Sequence, residues 1–461
     1  MHTGSRSVNS WLAAIVAVGA LAVGYDQGAM SGALLYLKDV FRLTVFQREA
    51  MVSVVIVGSF VGAMFTGRLS DAVGRRVALL WASGLSVIFS LATGLAPNYD
   101  VFMLARFLVG VTIGMIVVAA PMYISEFSRP GFRGRTSASF QLAFAIGLAG
   151  SYWVDYLFAK SSDWRAMFMV GVVPALILFV TLLALPDSPR WYFMNGMRQQ
   201  GEEALGRILP EPDQRRAEAD RIEKELQRTQ TLGRGSYIDL LKPGVRMALL
   251  FAVGLSFFGQ FTGINTVTYY SPTVFTYAGF GKSDAIFTTA AIGIITVLAT
   301  VLGVSLVDRW GRRPLLFTSQ GAMIVAMALL GYSFYVGPRL PGMAVLTVGS
   351  VVLFHVAFSM GMGLMGWVYV PEVFPNRVRA QGQSVARLVT YLSTFVITLF
   401  FLSVVHLLGA AGTFWIFSAL TLLGVFFVAR LAPETKGKPL ETIEEYWMNG
   451  RKWAGANAGN R

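Results

Sequence analysis

The sequence is dominated by apolar runs that are each long enough to cross a lipid bilayer. A transmembrane helix needs about 20 predominantly apolar residues, and runs of that length recur from one end of the chain to the other. They occupy residues 11–33, 50–69, 78–97, 100–124, 138–158, 164–186, 247–275, 284–308, 314–336, 343–370, 383–405 and 412–431. Only 14% of the 461 residues are charged, against about 25% in a soluble domain. The sequence therefore predicts an all-α integral membrane protein with twelve transmembrane helices.

The net charge of +13 comes from 38 Lys and Arg residues whose positions follow a topological rule. With the N-terminus placed inside the cell, most of them fall in the inner loops and the two terminal segments, as the positive-inside rule requires. No basic patch with interleaved aromatic residues stands out, so the charge does not indicate nucleic acid. We expect a multi-pass protein of the plasma (inner) membrane with both termini in the cytoplasm.

Two polar segments divide the chain. Residues 187–246 are rich in charge and helix formers, and predict a cytoplasmic helical linker between an N-terminal bundle (1–186) and a C-terminal bundle (247–432). Residues 433–461 form a polar tail, expected on the same side. The first apolar run has no clear cleavage site before Gly24-Tyr25-Asp26, so it is interpreted as a retained span.

Three motifs at predicted inner helix ends occur twice, separated by about 240 positions. The pairs are Gly67–Arg76 with Val307–Arg313, Glu126–Arg133 with Glu372–Arg379, and Pro186–Arg190 with Pro433–Gly437. Matched separations indicate that the two halves are related six-span repeats of the same orientation. Such repeats predict a binding site between the halves, near the middle of the membrane.

These motifs resemble those of the sugar porter family of the major facilitator superfamily, over essentially the whole chain. Further matching segments are Gly24-Tyr25-Asp26, Arg106–Gly110, Pro121–Glu126, Gln260–Asn265 and Tyr269–Pro272. The resemblance implies the major facilitator fold, with two pseudo-symmetric six-helix bundles that rock around a central site in alternating access. It implies a carrier that acts as a monomer, whose partners are a sugar or polyol, protons and the lipid bilayer.

Asp26 in the first span and Arg106 in the fourth predict a proton-coupling pair. Charged side chains within a membrane are costly and mark functional sites. Protonation of the carboxylate would release the guanidinium and bias the direction in which the carrier faces. The resemblance implies the same role, because proton-coupled members have this Asp while facilitative members commonly lack it. A purely structural ion pair is the alternative.

Charged residues of the repeated motifs are predicted to gate the inner mouth by forming ion pairs that break on opening. The set is Asp71, Arg75, Arg76, Glu126, Arg133, Asp308, Arg312, Glu372 and Arg379. Asp71 can also cap a nearby helix N-terminus. The alternative for the arginines is positive-inside anchoring.

A sugar offers hydroxyls and an apolar ring face, which amides and a flat aromatic side chain suit. Alignment with the family predicts a substrate site formed by Gln141, Gln260, Asn265, Tyr269, Tyr270, Trp367, Thr390 and Thr394. Helix–helix hydrogen bonding is the alternative for the two glutamines, and gating of the outer mouth is the alternative for the tyrosines.

Several positions depart from the family pattern. Gly259 replaces one of two adjacent glutamines, and Thr390 and Thr394 replace amides, so a standard D-glucose site is not expected. Arg387, near the inner start of the eleventh span, is expected to extend towards the interface; the alternative is that it serves as the cation that an anionic substrate would need. Asp155, near the outer end of the fifth span, is expected to contact interfacial water.

The most concrete function is proton-coupled import of a monosaccharide or polyol. The alternatives are a facilitative sugar uniporter, a carrier of a non-sugar solute such as an organic acid, and a transporter-like nutrient receptor. The sequence contains no phosphate-binding loop, metal-ligand constellation or nucleophile–base spacing, so no catalytic residue, metal or cofactor is predicted.

Overall fold

The computed structural model describes residues 3–127, 133–209, 211–232, 236–337, 340–375 and 377–453. Within these ranges, it describes the side chains except those of residues 3–16, 133–138, 228–232 and 440. The first half contains α1 (Thr3–Val40), α2 (Val45–Val73), α3 (Arg75–Gly94), α4 (Tyr99–Phe127), α5 (Arg133–Ala159), α6 (Trp164–Met169) and α7 (Val172–Leu183). Three short helices follow, α8 (Pro189–Met194), α9 (Arg198–Gly206) and α10 (Pro212–Leu232).

The second half begins with a 3-10 turn at Tyr237–Leu241. Its helices are α11 (Val245–Phe261), α12 (Ile264–Tyr277), α13 (Lys282–Trp310), α14 (Arg312–Val336), α15 (Met343–Met360), α16 (Met362–Glu372), α17 (Arg379–Leu431) and α18 (Leu440–Met448).

Ten helical stretches of the described chain are long and apolar enough to cross a membrane. One of them, α17, has 53 residues and bends at Gly409, whose φ of 74° interrupts the helix, so it contains both of the last two predicted spans. The remaining predicted span is α1, whose side chains are described only from residue 17 onwards. The helices thus confirm the predicted all-α membrane architecture.

The chain divides into two compact units. One consists of residues 1–42 and 51–233, and the other of residues 43–50 and 234–461. The linker helices α8–α10 belong to the first unit, where Phe193, Leu205, Ala219 and Ile222 form a small buried core. The first residues of α2 belong to the second unit, where buried Glu49 accepts hydrogen bonds of 2.6 Å from both the backbone N–H and the hydroxyl of Ser403.

Helices α1 and α5 of the first unit pack unusually closely because small residues recur every fourth position along their contact. A Cβ atom at Gly24 would lie 2.0 Å from the carbonyl oxygen of Phe144, and one at Gly28 would lie 1.7 Å from Ser151 Oγ. Small residues at this spacing let helix backbones approach each other in a membrane. This contact fixes the position of α1, which carries Asp26.

Candidate functional site

The first unit holds an ion pair between α1 and α4. Arg106 Nη1 donates a short hydrogen bond to Asp26 Oδ1. The Arg106 side chain is fully buried and that of Asp26 is 15% exposed. Arg106 Nε and Nη2 have no hydrogen-bond partner among the described residues, and Phe168 covers the guanidinium with its ring centroid at 5.3 Å. Asp26 is therefore the principal charge partner of a buried cation.

A cavity of about 20 Å³ adjoins this ion pair. Its lining includes Tyr25, Ser86, Ser90 and Thr93 in addition to the charged pair. A polar cavity of this size has room for a single water molecule. The cavity therefore leaves room for one water molecule beside the Asp26–Arg106 pair.

The second unit brings three predicted substrate-binding side chains together, Gln260, Asn265 and Thr394, which we call the polar cluster. Asn265 Nδ2 donates to Gln260 Oε1 at 2.5 Å and to Thr394 Oγ1 at 3.3 Å. Thr394 Oγ1 donates to Gln260 Oε1 at 3.2 Å. The three side chains provide both donors and acceptors, as recognition of a polyhydroxylated molecule requires.

A break between α11 and α12 creates the polar cluster. Gly263 separates the two helices with a φ of 89°, a left-handed conformation that glycine adopts without steric cost. A Cβ atom there would also lie 2.9 Å from the Phe417 ring. The break turns the end of α11 so that Gln260 faces Asn265 in the first turn of α12. Gly259 is the neighbouring position that departs from the family pattern. A Cβ atom there would lie 3.0 Å from the Met362 methyl group.

The other predicted substrate residues lie in different surroundings. Tyr270 is fully buried and donates to the Thr398 carbonyl oxygen at 3.1 Å, and Tyr269 is 5% exposed. Thr390 donates to the Ala386 carbonyl oxygen of its own helix at 3.0 Å. Gln141 lies on α5 in the first unit and is partly buried. Both tyrosine side chains are thus buried within the second unit in this conformation.

Trp367 on α16 contacts Arg387, which we had expected at the membrane interface. The Arg387 guanidinium carbon lies 4.1 Å from the centroid of the Trp367 ring. We expected Arg387 to extend towards the membrane interface, and it instead packs against a predicted substrate residue.

The environment of Asp155 also differs from the prediction, because its side chain is 0% exposed. Its predicted contact with interfacial water is wrong, because Asp155 Oδ2 accepts the backbone N–H of Gly32 at 3.0 Å inside the bundle.

The predicted gating residues of the first unit form a charge network at the α2–α3 turn. Arg75 pairs with Asp71 and with Glu126, at 3.0 Å in each case. Asp187 caps the N-terminus of α3 by accepting the backbone N–H groups of Arg75 and Arg76 at 2.9 and 3.1 Å. Burial raises the pKa of Asp187, and these N–H groups oppose part of that rise. The capping carboxylate is thus Asp187, whereas Asp71 pairs with a guanidinium.

The second unit repeats this charge network at the α13–α14 turn. Arg312 pairs with Glu372 at 2.8 Å and with Asp308 at 3.4 Å. Glu434 accepts the backbone N–H groups of Arg312 and Arg313 at 3.1 and 2.9 Å. The two networks match residue for residue, which extends the repetition from sequence to hydrogen bonding.

Of three further predicted gating arginines, two donate hydrogen bonds to backbone carbonyl oxygens, and the side chain of the third lies outside the described residues. The Arg379 guanidinium donates to the Phe374 carbonyl oxygen at 3.2 Å. Arg133 begins α5, and its side chain lies outside the described residues. Arg76 donates to the carbonyl oxygens of Leu182 and Leu183 at 2.8 and 2.9 Å.

Four residues of the charge networks were missing from the predicted site. Asp187 and Glu434 are the helix caps, and Ser188 and Thr435 donate hydrogen bonds to Glu126 and Glu372. The sequence signal for them was present, because these residues hold equivalent places in the repeated Pro186–Arg190 and Pro433–Gly437 motifs. The four residues could have been identified from this pattern, in which an acidic residue and a hydroxyl residue follow a helix end at equivalent positions in both repeats.

Comparison with known proteins agrees with this architecture along nearly the whole chain. Residues 12–447 match the family model described as sugar (and other) transporter. The arabinose-proton symporter of Bacillus subtilis (strain 168) is 34% identical, over 94% of this chain and 93% of its own length. Putative polyol transporter 2 of Arabidopsis thaliana is 34% identical, over 96% of this chain and 91% of its own length.

Solved structures give the same result for the fold. The proton:xylose symporter XylE bound to 6-bromo-6-deoxy-D-glucose superimposes with a TM-score of 0.78 and 28% identity, covering 96% of this chain and 100% of that one. The expected major facilitator fold is thereby confirmed, and with it the family that the repeated motifs indicated. The chain belongs to the sugar porter family of the major facilitator superfamily, whose members are transporters and not enzymes.

Proposed function

We propose that the protein is a secondary active transporter that imports a monosaccharide or polyol together with protons by alternating access. The observation that carries this proposal is the Asp26–Arg106 pair, in which a fully buried guanidinium has a carboxylate as its principal partner. A structural ion pair would be expected to satisfy more of the guanidinium, because unpaired donors in a membrane interior are costly. The names of the arabinose and xylose symporters support coupling to protons.

In the proposed mechanism, Asp26 takes up and releases the coupled proton. Protonation removes the negative charge, weakens the pair and leaves Arg106 as an uncompensated cation inside the bundle. A conformation in which Arg106 finds other acceptors or water is then favoured over the one described here. Release of the proton restores the pair and resets the carrier.

The polar cluster supports a polyhydroxylated substrate, with Gln141, Trp367, Tyr269, Tyr270 and Thr390 as further residues of the proposed site. Substrate hydroxyls would replace the hydrogen bonds that Gln260, Asn265 and Thr394 now make to one another. Because those bonds already exist, binding exchanges hydrogen bonds rather than leaving polar groups unsatisfied.

The two charge networks are proposed to gate the cytoplasmic side. Arg75 and Arg312 hold helix ends together through Glu126 and Glu372, and these contacts would loosen when the inner mouth opens. The proposal places both termini in the cytoplasm and the protein in the plasma membrane, and takes the monomer as the functional unit.

Uptake by purified protein in proteoliposomes tests the proposal. Pentoses, hexoses, inositols and linear polyols are offered with and without an inward proton gradient. We expect accumulation only with the gradient. Asp26→Asn should abolish accumulation while preserving exchange of labelled for unlabelled substrate across the membrane. Asp284→Asn, which removes an exposed carboxylate from the first turn of α13, is the matched control and should accumulate normally.

Two results would contradict the mechanism. Uptake that does not depend on the proton gradient would indicate a facilitative uniporter. Normal accumulation by Asp26→Asn would remove the role given to Asp26.

A further inference from the structure

Arg387 lies within a membrane span and forms no ion pair with any residue that the structure describes. Its guanidinium carbon lies 4.1 Å from the centroid of the Trp367 ring. A guanidinium held against an aromatic ring can still donate hydrogen bonds from its N–H groups. The chain therefore presents a planar set of donors beside a residue of the proposed substrate site.

The position of Arg387 on α17 relates it to the polar cluster. Arg387 and Thr394 are seven residues apart, a spacing of two helical turns that places them on the same face. At 1.5 Å per residue they are separated by about 10 Å along the helix. A charged donor thus lies at one end of the face and hydroxyl-binding groups lie at the other.

The free-energy cost of placing the Arg387 cation inside the bundle indicates that this helix face is missing a negatively charged partner. A charged side chain in a membrane protein is normally paired, and stacking on an aromatic ring offsets only part of its desolvation. The two most deeply buried guanidinium groups described above each have a carboxylate within reach, Asp26 for Arg106 and Glu126 for Arg75. A carboxylate on the ligand would complete the arrangement, because the guanidinium fork matches its two oxygens.

A neutral sugar fits this face less well. A sugar ring normally packs its apolar side against a flat aromatic side chain, and the guanidinium covers one face of Trp367. A neutral sugar can offer hydroxyl oxygens to Arg387 but no negative charge, and it would have to displace the guanidinium to pack on the covered face of Trp367. A carboxylate pairs with the guanidinium charge and accepts the stronger, charge-assisted hydrogen bonds.

We infer that the preferred substrate is a sugar acid, an aldonate or uronate whose carboxylate binds Arg387 while its hydroxyls bind Gln260, Asn265 and Thr394. This inference rests on the proposed function, since it assumes that the polar cluster is the transport site. It also changes the charge that is moved. One proton carried with a monoanion transfers no net charge, whereas one proton carried with a neutral sugar transfers one positive charge.

Proteoliposome uptake and binding to the purified protein test the inference with four probes, D-gluconate, D-glucuronate, D-glucose and D-glucitol. We expect the wild type to prefer one of the acids over the neutral compounds by at least about tenfold. Arg387→Gln should lower the ratio of acid to neutral uptake by about tenfold or more, and Arg387→Lys should restore part of it. Arg430→Gln removes the same charge from an exposed position on the same helix and should leave the ratio unchanged.

The outcomes separate this inference from the proposed function. Proton-driven uptake of neutral sugars, with no preference for either acid and the same ratio in Arg387→Gln, would overturn the sugar acid and leave the symporter intact. Uptake of an acid that responds to the proton gradient but not to the membrane potential would support the inference. Failure to bind or carry any sugar, polyol or sugar acid would overturn both.

Discussion

At the scale of single residues, Asp155 is a carboxyl group buried inside the bundle with few hydrogen-bond partners. Its side chain is fully buried, one oxygen accepts the Gly32 N–H, and Oδ1 has no partner among the described residues. A negative charge here would lack a cation, and an uncompensated charge in a membrane bundle is costly. We therefore expect Asp155 to be held as the neutral acid, in which one oxygen accepts and the other carries the proton.

This expectation predicts opposite effects for two substitutions. Asp155→Asn preserves the acceptor for Gly32 and introduces no charge, so the thermal unfolding midpoint in detergent should be unchanged or higher. Asp155→Ala leaves the Gly32 N–H without this acceptor and opens a cavity, which should cost about 1–3 kcal/mol and lower the midpoint. A large loss of stability in Asp155→Asn, equal to that in Asp155→Ala, would show that the ionised carboxylate is needed.

At the scale of helices, the contact between α1 and α5 decides where Asp26 lies. Gly24 approaches a backbone carbonyl rather than a flexible side chain, so the helices cannot accommodate a larger residue by a change of rotamer. Overpacking of this kind typically costs 1–3 kcal/mol or more. Because Asp26 is two residues from Gly24, displacement of α1 would also alter its contact with Arg106.

Gly24→Ala should therefore lower both the unfolding midpoint and proton-driven accumulation. Gly150→Ala is the matched control, because a Cβ atom at Gly150 on α5 meets nothing within 4 Å, and it should behave as the wild type. Thermal unfolding in detergent and uptake in proteoliposomes provide the measurements. Wild-type values for Gly24→Ala would show that the two helices can separate without consequence.

The sequence predicted features that depend on depth in the membrane better than features that depend on helix rotation. Apolar length fixes where a span begins and ends, which is why the spans, and the charges Asp26 and Arg106 inside them, could be recognised. The stacking of Arg387 on Trp367 depends on how α16 and α17 face each other, and no local pattern encodes that angle. Likewise, Asp187 caps a helix that begins 112 residues earlier in the chain, so its role is set by tertiary packing.

At the scale of the whole molecule, the α2–α3 turn of the first unit and the α13–α14 turn of the second are built in the same way. In each, a glycine with a φ above 90° starts a helix, at Gly74 and Gly311. A Cβ atom at either position would collide with the capping carboxylate, Asp187 or Glu434. Glycine is thus needed at both turns for the same two reasons, the positive φ and the nearby carboxylate, and both features are present in each repeat. The repeated motifs predict that these two turns lie on the same side of the membrane.

That side is predicted to be the cytoplasm, and the absence of cysteine from the chain makes the topology directly measurable. A single cysteine introduced into the wild-type sequence is the only thiol available to a membrane-impermeant maleimide. Ser161→Cys, in an exposed position just after α5, should react in intact cells. Gln199→Cys, exposed on α9, should react only after permeabilisation, and the unmodified chain should not react in either case. The reverse pattern would place the charge networks outside the cell and would contradict the proposed cytoplasmic gate.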